Sequence, residues 1–158
     1  VDPGQAAAAA EAAEARAAQE AREEFCGGWT NTRNENLEVY LKHIGVGWAK
    51  RKIALSFKPQ SSYAVVEGVL QVMTPTPLGD RLETFPLDAQ QSDVIEGKTW
   101  TKTHRWDAHS RRLTTTAKDP SGAKPDFVTE RWIDGEDRLN QVTSHNGVAF
   151  TRLFERVM

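Results

Sequence analysis

The plainest pattern in the chain is a strict two-residue alternation over Lys98–Asp107. Trp100, Lys102, His104 and Trp106 fall on one face, and Thr99, Thr101, Thr103 and Arg105 on the other. A solvated Thr face is ordinary, whereas two Trp facing water are not. The Trp face is therefore placed inside, with Lys102 and His104 directed into the interior or its rim. Similar runs predict strands near 28–33, 61–67, 69–74, 81–87, 98–107, 112–118, 126–133, 138–145 and 148–157. Turn signals separate them at Glu67-Gly68, Leu78-Gly79-Asp80, Glu96-Gly97, Asp119-Pro120-Ser121-Gly122, Asp134-Gly135 and Asn146-Gly147. Asn-Gly and Asp-Gly favour two-residue hairpins, so consecutive strands pair antiparallel in an up-and-down meander.

Two segments depart from this rhythm. Residues 35–44 place Leu37, Tyr40, Leu41 and Ile44 on one helical face, and Gly45-Val46-Gly47 ends that helix. Trp48–Ser56 reads as a second short helix closed by Lys58-Pro59. The other departure precedes Phe25. Eleven of the sixteen residues from 6 to 21 are Ala and the rest are Glu, Gln and Arg, all strong helix formers. Asp2-Pro3 suits a helix start and Gly27-Gly28 a stop. This predicts an Ala-rich helical extension, 1–24, ahead of an all-β domain, 25–158. Its side chains are too small to supply a core, so it is either a solvated leader or remnant of processing, or an arm that docks on a partner.

Composition narrows the chemistry. The chain has 158 residues and a net charge of −2, too little positive charge for a general nucleic-acid binder. The extension carries six acidic and two basic residues, which leaves the remainder slightly basic. The single cysteine, Cys26, cannot form an intramolecular disulfide and reads as a small apolar filler. No run of eighteen apolar residues occurs, and no signal peptide is visible. His43, His104, His109 and His145 lack metal-ligand spacing, so no metal and no cofactor are expected. Nucleophile-elbow, phosphate-loop and dinucleotide motifs are absent. The carboxylates Glu83, Asp88, Asp93 and Glu96 are taken as solvated surface. An enzyme using His104 or Lys102 as its acid–base group is left with no motif in its favour, and the chain reads as not an enzyme.

One strand, a helix pair, then a long meander is an unusual order, and particular residues carry a resemblance. Phe25-Cys26-Gly27-Gly28-Trp29 looks like an F-x-G-x-W opening. Residues 36–47 look like a first lid helix with its turn, and residues 48–54 like the second. Residues 147–156 look like a last hairpin and closing strand. Over about residues 25 to 158 the chain resembles the intracellular lipid-binding family, the fatty-acid-binding and cellular retinoid-binding proteins. The Ala-rich extension has no counterpart there, and the middle of the chain matches in hairpin rhythm more than in identity. The resemblance implies a ten-stranded up-and-down antiparallel β-barrel, calycin-like, with a helix-turn-helix lid.

It also implies a function: binding a hydrophobic small molecule in the barrel cavity, for transport or storage. In that family an Arg-x-Tyr pair on the last strand, helped by a second Arg two strands earlier, receives the ligand's carboxylate. Here these positions are Arg152, Phe154 and Arg131. A guanidinium fork matches a carboxylate with two parallel bonds. The alternative for such an Arg is a structural pair with Glu130 or Glu155. Phe154 removes a hydroxyl donor and leaves room for a bulkier or less acidic ligand, such as a retinoid, carotenoid, sterol or tetrapyrrole. Trp100, Lys102, His104, Trp106 and Leu78 complete the expected ligand-contacting set. The expected portal is Val39, Lys50, Lys52 and Ile53, whose basic surroundings suit transient contact with an anionic membrane. The competing reading is a non-catalytic accessory subunit, docked through the N-terminal helix and reusing the barrel. The expected location is the cytoplasm, or an organelle such as a plastid if a targeting peptide was removed.

Overall fold

The computed structural model describes residues 2–87, 89–95 and 97–157, leaving aside the side chains of 14–22. In chain order the elements are α1 (Pro3–Phe25), β1 (Gly27–Glu35), α2 (Leu37–His43), α3 (Trp48–Ser56), β2 (Gln60–Val66), β3 (Val69–Thr76) and β4 (Gly79–Phe85). They continue through β5 (Gln90–Ile95), β6 (Lys98–Asp107), β7 (Arg112–Lys118), β8 (Phe127–Ile133), β9 (Leu139–His145) and β10 (Val148–Arg156). The ten strands form one antiparallel sheet in the order β4-β3-β2-β1-β10-β9-β8-β7-β6-β5. Every neighbour is a hairpin partner except β1–β2, which the two helices connect, and β1–β10, which joins the ends of the meander.

The curl is incomplete. β4 and β5 are consecutive in sequence, yet no backbone ladder joins them. The sheet is therefore an open barrel with one seam. β5 lies in the stretch read from sequence as solvated carboxylates. Its residues, Gln90-Gln91-Ser92-Asp93-Val94-Ile95, lack apolar alternation because their inward positions are polar. Asp88 and Glu96, and with Glu96 part of the expected Glu96-Gly97 turn, lie outside the described residues.

Local chemistry accounts for the other elements. Asn146 and Gly147 have φ of 48° and 82°, the pair of left-handed residues a two-residue hairpin needs, and Glu67-Gly68 repeats the pattern. The first turn fixes His145 opposite Val148, and with it the whole β9–β10 register. The helix expected over 35–44 is shorter, because Asn36 sits at φ 63° as its cap and binds Ala149 O through Nδ2 at 2.8 Å.

The main core joins Phe25, Trp29, Tyr63, Leu70, Val72, Phe85, Leu113, Leu139 and Phe154. A second cluster, Leu37, Tyr40 and Phe150, seats α2 on β10. By contrast α3 buries none of its residues fully. The N-terminal helix starts as expected, with the Asp2 carboxylate accepting from Gly4 N at 3.0 Å and Pro3 following. Its last residue is part of the core: Phe25 is 1% exposed, and its carbonyl accepts the Trp29 indole N–H at 2.8 Å. Arg156 fastens the same junction, donating to Glu24 O and Cys26 O, and Glu24 pairs with Arg111.

Candidate functional site

Between the main core and the α3–β2 connection lies a cavity of about 160 Å³. Phe57 and Pro59 border it from the connection, and Tyr63, Val72 and Phe154 from the core. Three adjacent strands supply its polar wall. Register places Arg131 of β8 opposite Gln141 of β9, and Gln141 opposite Arg152 of β10. All three line the cavity. Two strand spacings of about 4.8 Å separate the two arginine backbones, with a carboxamide between them.

The two guanidinium groups differ in their partners. Arg152 is half-buried and donates to Asn31 Oδ1 at 3.4 Å and Asn34 Oδ1 at 3.3 Å, while its guanidinium lies 5.5 Å from the Phe150 ring. Among the described residues it has no carboxylate partner. Burial pulls its pKa down, the sign of a cation short of compensation. The expected alternative partners lie elsewhere: Glu130 binds Arg112 at 2.7 Å, and Glu155 is exposed. Asn31 is held for its role, since its Nδ2 donates to Leu153 O and Arg33 O and leaves Oδ1 for Arg152.

Arg131 is 5% exposed and packs over the Phe85 ring at 4.8 Å. Its Nη2 reaches Glu83 Oε2 at 3.5 Å, while its Nε and Nη1 find no acceptor. Glu83 projects from β4 on the inward side shared with Arg81 and Phe85. Its other oxygen lies 3.7 Å from Lys102, which also binds Asp93 of β5 at 2.8 Å. Burial raises the Glu83 pKa, but Arg131 and Lys102 outweigh it and hold the carboxyl ionised.

A second polar chain crosses the seam. Gln91 Nε2 donates to Thr84 Oγ1 at 2.8 Å, so Gln91 Oε1 accepts from His104 Nε2 at 2.7 Å. That leaves His104 Nδ1 to accept from Thr115 Oγ1 at 2.8 Å. His104 is 0% exposed, and burial pushes its pKa down to about 4, so the ring is neutral.

Of the expected ligand-contacting residues, Arg152, Arg131 and Phe154 line the cavity. The other five do not. Trp100 packs edge-on against Phe127, and Trp106 against Phe25; both point inward as alternation required, but they fill space. Lys102 is consumed by Asp93 and Glu83, and His104 by Gln91 and Thr115. Leu78 is 100% exposed at the β3–β4 turn, because a residue at a hairpin tip has no sheet face beneath it. Conversely, the cavity wall includes Tyr63 and Gln141, for which the sequence offered no role, and Glu83, which was expected on the solvated surface but is drawn inward by Arg131 and Lys102. Tyr63 is buried with its hydroxyl beside Arg131, and burial raises its pKa. It offers a hydroxyl in place of the one Phe154 lacks. The structure also brings together His43 of α2 and His145 of β9, with ring nitrogens 3.1 Å apart.

The residues expected at a portal, Val39 on α2 and Lys50, Lys52 and Ile53 on α3, are all exposed, and Trp48 and Leu55 of α3 are exposed as well. No helix among the described residues is long and apolar enough to cross a membrane.

No protein-family model matches the chain. Among curated proteins it is 24% identical over 144 residues to fatty acid-binding protein 9 of Homo sapiens, covering 85% of this chain and 98% of that protein. Fatty acid-binding protein 12 of Homo sapiens is 25% identical over 131 residues, 83% of this chain and 90% of that protein. Among solved structures, a Schistosoma mansoni fatty acid binding protein in complex with arachidonic acid superposes with a TM-score of 0.73 at 21% identity. That match covers 85% of this chain and 97% of the other.

Proposed function

We propose, from the premise that this chain's homologues and structural neighbours are fatty-acid-binding proteins of the intracellular lipid-binding family, that it binds a hydrophobic small molecule with an acidic head group inside the barrel and carries it. The observation that carries this reading is Arg152, a half-buried guanidinium on the cavity wall with no carboxylate of its own among the described residues. An interior cation without a counter-ion is costly, and a ligand carboxylate supplies what is missing. Gln141, the unfilled N–H groups of Arg131 and the Tyr63 hydroxyl stand within the same wall. The carrier reading is favoured over an accessory subunit docked through α1.

The magnitudes divide the work between head and tail. Burial of a sixteen-carbon chain contributes roughly 12 kcal/mol gross at about 0.8 kcal/mol per CH₂. One charge-assisted hydrogen bond adds about 1.5–3 kcal/mol. Most affinity therefore comes from the tail, while Arg152 sets orientation. The cavity of about 160 Å³ is smaller than the roughly 300–1,000 Å³ of ordinary small-molecule pockets. A long tail must then make room, and α3, with no fully buried residue, is the element that can yield. Val39, Trp48 and Ile53, bordered by Lys50 and Lys52, form the portal on this reading and touch anionic membrane during transfer. The protein acts as a carrier in the cytoplasm and catalyses no reaction.

Displacement of a fluorescent fatty-acid analogue by oleate tests this. The intact protein takes up oleate with about micromolar affinity, and Arg152→Ala weakens it about tenfold. Absence of uptake by the intact protein contradicts the proposal.

A further inference from the structure

The charge inside the barrel is not symmetric between the two arginines. The Lys102 ammonium has Asp93 at 2.8 Å, and the Arg131 guanidinium has Glu83 at 3.5 Å. Arg152 is surrounded by neutral Asn31 and Asn34. Glu83 lines the same cavity as both arginines, on a strand with no backbone partner across the seam. Its bonds are long, at 3.5 and 3.7 Å, and Arg131 keeps two N–H groups without acceptors. A tight structural pair would be shorter and bidentate.

We propose that Glu83 is the resident counter-anion of this cavity, holding Arg131 against an incoming carboxylate and so limiting how strongly the site prefers acids over neutral amphiphiles. The inference rests on the carrier reading and names what selects within it. With Glu83 in place, a ligand carboxylate gains the full charge of Arg152 alone, and beside Arg131 it meets the negative charge of Glu83. Long-chain alcohols, which carry no charge, meet neither effect. The wild-type cavity therefore discriminates weakly between a fatty acid and the corresponding alcohol. Removing the charge of Glu83 while keeping its shape converts the wall into a two-guanidinium receptor with strong acid preference.

The test is equilibrium partitioning of radiolabelled oleate and oleyl alcohol between phosphatidylcholine vesicles and the full-length protein. Glu83→Gln tightens oleate about tenfold and leaves oleyl alcohol within about twofold, one charge pairing being worth that much. In the double variant Glu83→Gln/Arg131→Gln the gain disappears. A general structural role for Glu83 shifts both ligands together. If Glu83→Gln fails to fold by circular dichroism, Glu83→Asp withdraws the carboxylate by one methylene and gives a smaller gain of the same sign. Unchanged or weaker oleate binding in a folded variant overturns the inference while the carrier reading stands. Failure of the wild type to take up either ligand overturns both.

Discussion

The two sides of the barrel are held by different means. From β8 through β9 and β10 to β1 the strands are joined by backbone ladders, shifted in register only between Asn31 and Arg33, and these put Arg131, Gln141 and Arg152 in one row. Across the seam from β4 to β5 no ladder exists; beyond one isolated backbone bridge, Leu87 to His104 of β6, the connection is made by side chains: Gln91 to Thr84, and Lys102 between Glu83 and Asp93. Backbone hydrogen bonds depend little on residue type, whereas side-chain bridges depend on it entirely. On the proposed function, the back wall is therefore the part that positions a head group robustly. The seam responds to pH and to single substitutions.

The largest effect sharpens the first half of this contrast. Leu139 is fully buried at the start of β9, so Leu139→Ala lowers stability in urea by about 2–5 kcal/mol. An effect below 1 kcal/mol would mean that the back wall is not the packed side.

The seam's response to acid comes next. His104 has a folded-state pKa of about 4, below its ordinary value near 6.5. The neutral ring is the one the fold favours. Its contribution is complete above pH 6.5 and is lost as pH falls from 6.5 to 4, on the order of 3 kcal/mol. His104→Gln removes that slope, which urea melts at several pH values will show. Equal acid sensitivity in both proteins would exclude His104 as the source.

Smaller still, Gln91→Ala leaves the His104 N–H and Thr84 hydroxyl without each other's bridge and costs about 1–3 kcal/mol. Hydrogen exchange then quickens in β4 and β5 ahead of β8–β10. Uniform acceleration would deny the seam any independence. The smallest expected change is at the lid, where Lys52→Gln weakens binding to anionic vesicles by about 1 kcal/mol and leaves oleate affinity unchanged; equal vesicle binding would remove the lid from membrane contact.

Much of the ladder was legible in the sequence because turn chemistry carries register. Asn146-Gly147 alone sets Gln141 opposite Arg152 once strands are counted back from the turn. The inward face of β6 followed from its alternating Trp residues. Alternation, however, says which side of the sheet a residue faces and nothing of what it meets there. It turned Lys102, His104, Trp100 and Trp106 inward, and gave no sign that Lys102 pairs with Asp93 and Glu83, His104 with Gln91 and Thr115, and that the two Trp pack on Phe127 and Phe25. The seam was illegible for a related reason. β5 lacks an apolar face, and Glu83 is held by side chains of β6 and β8, strands with which its own backbone does not pair. The helix pair was legible from the helical spacing of Leu37, Tyr40, Leu41 and Ile44 and from its Gly and Pro stops, whereas the arginines of the wall came through the family resemblance.

The central claim is that a ligand carboxylate sits on Arg152 inside the barrel. Carbon-13 NMR of carboxyl-labelled oleate bound to the protein tests it directly. The account predicts a bound carboxyl resonance that stays ionised to a pH well below that of free oleate in vesicles, and that loses this protection in Arg152→Ala. A bound resonance titrating like a solvent-exposed carboxyl in both proteins would contradict it.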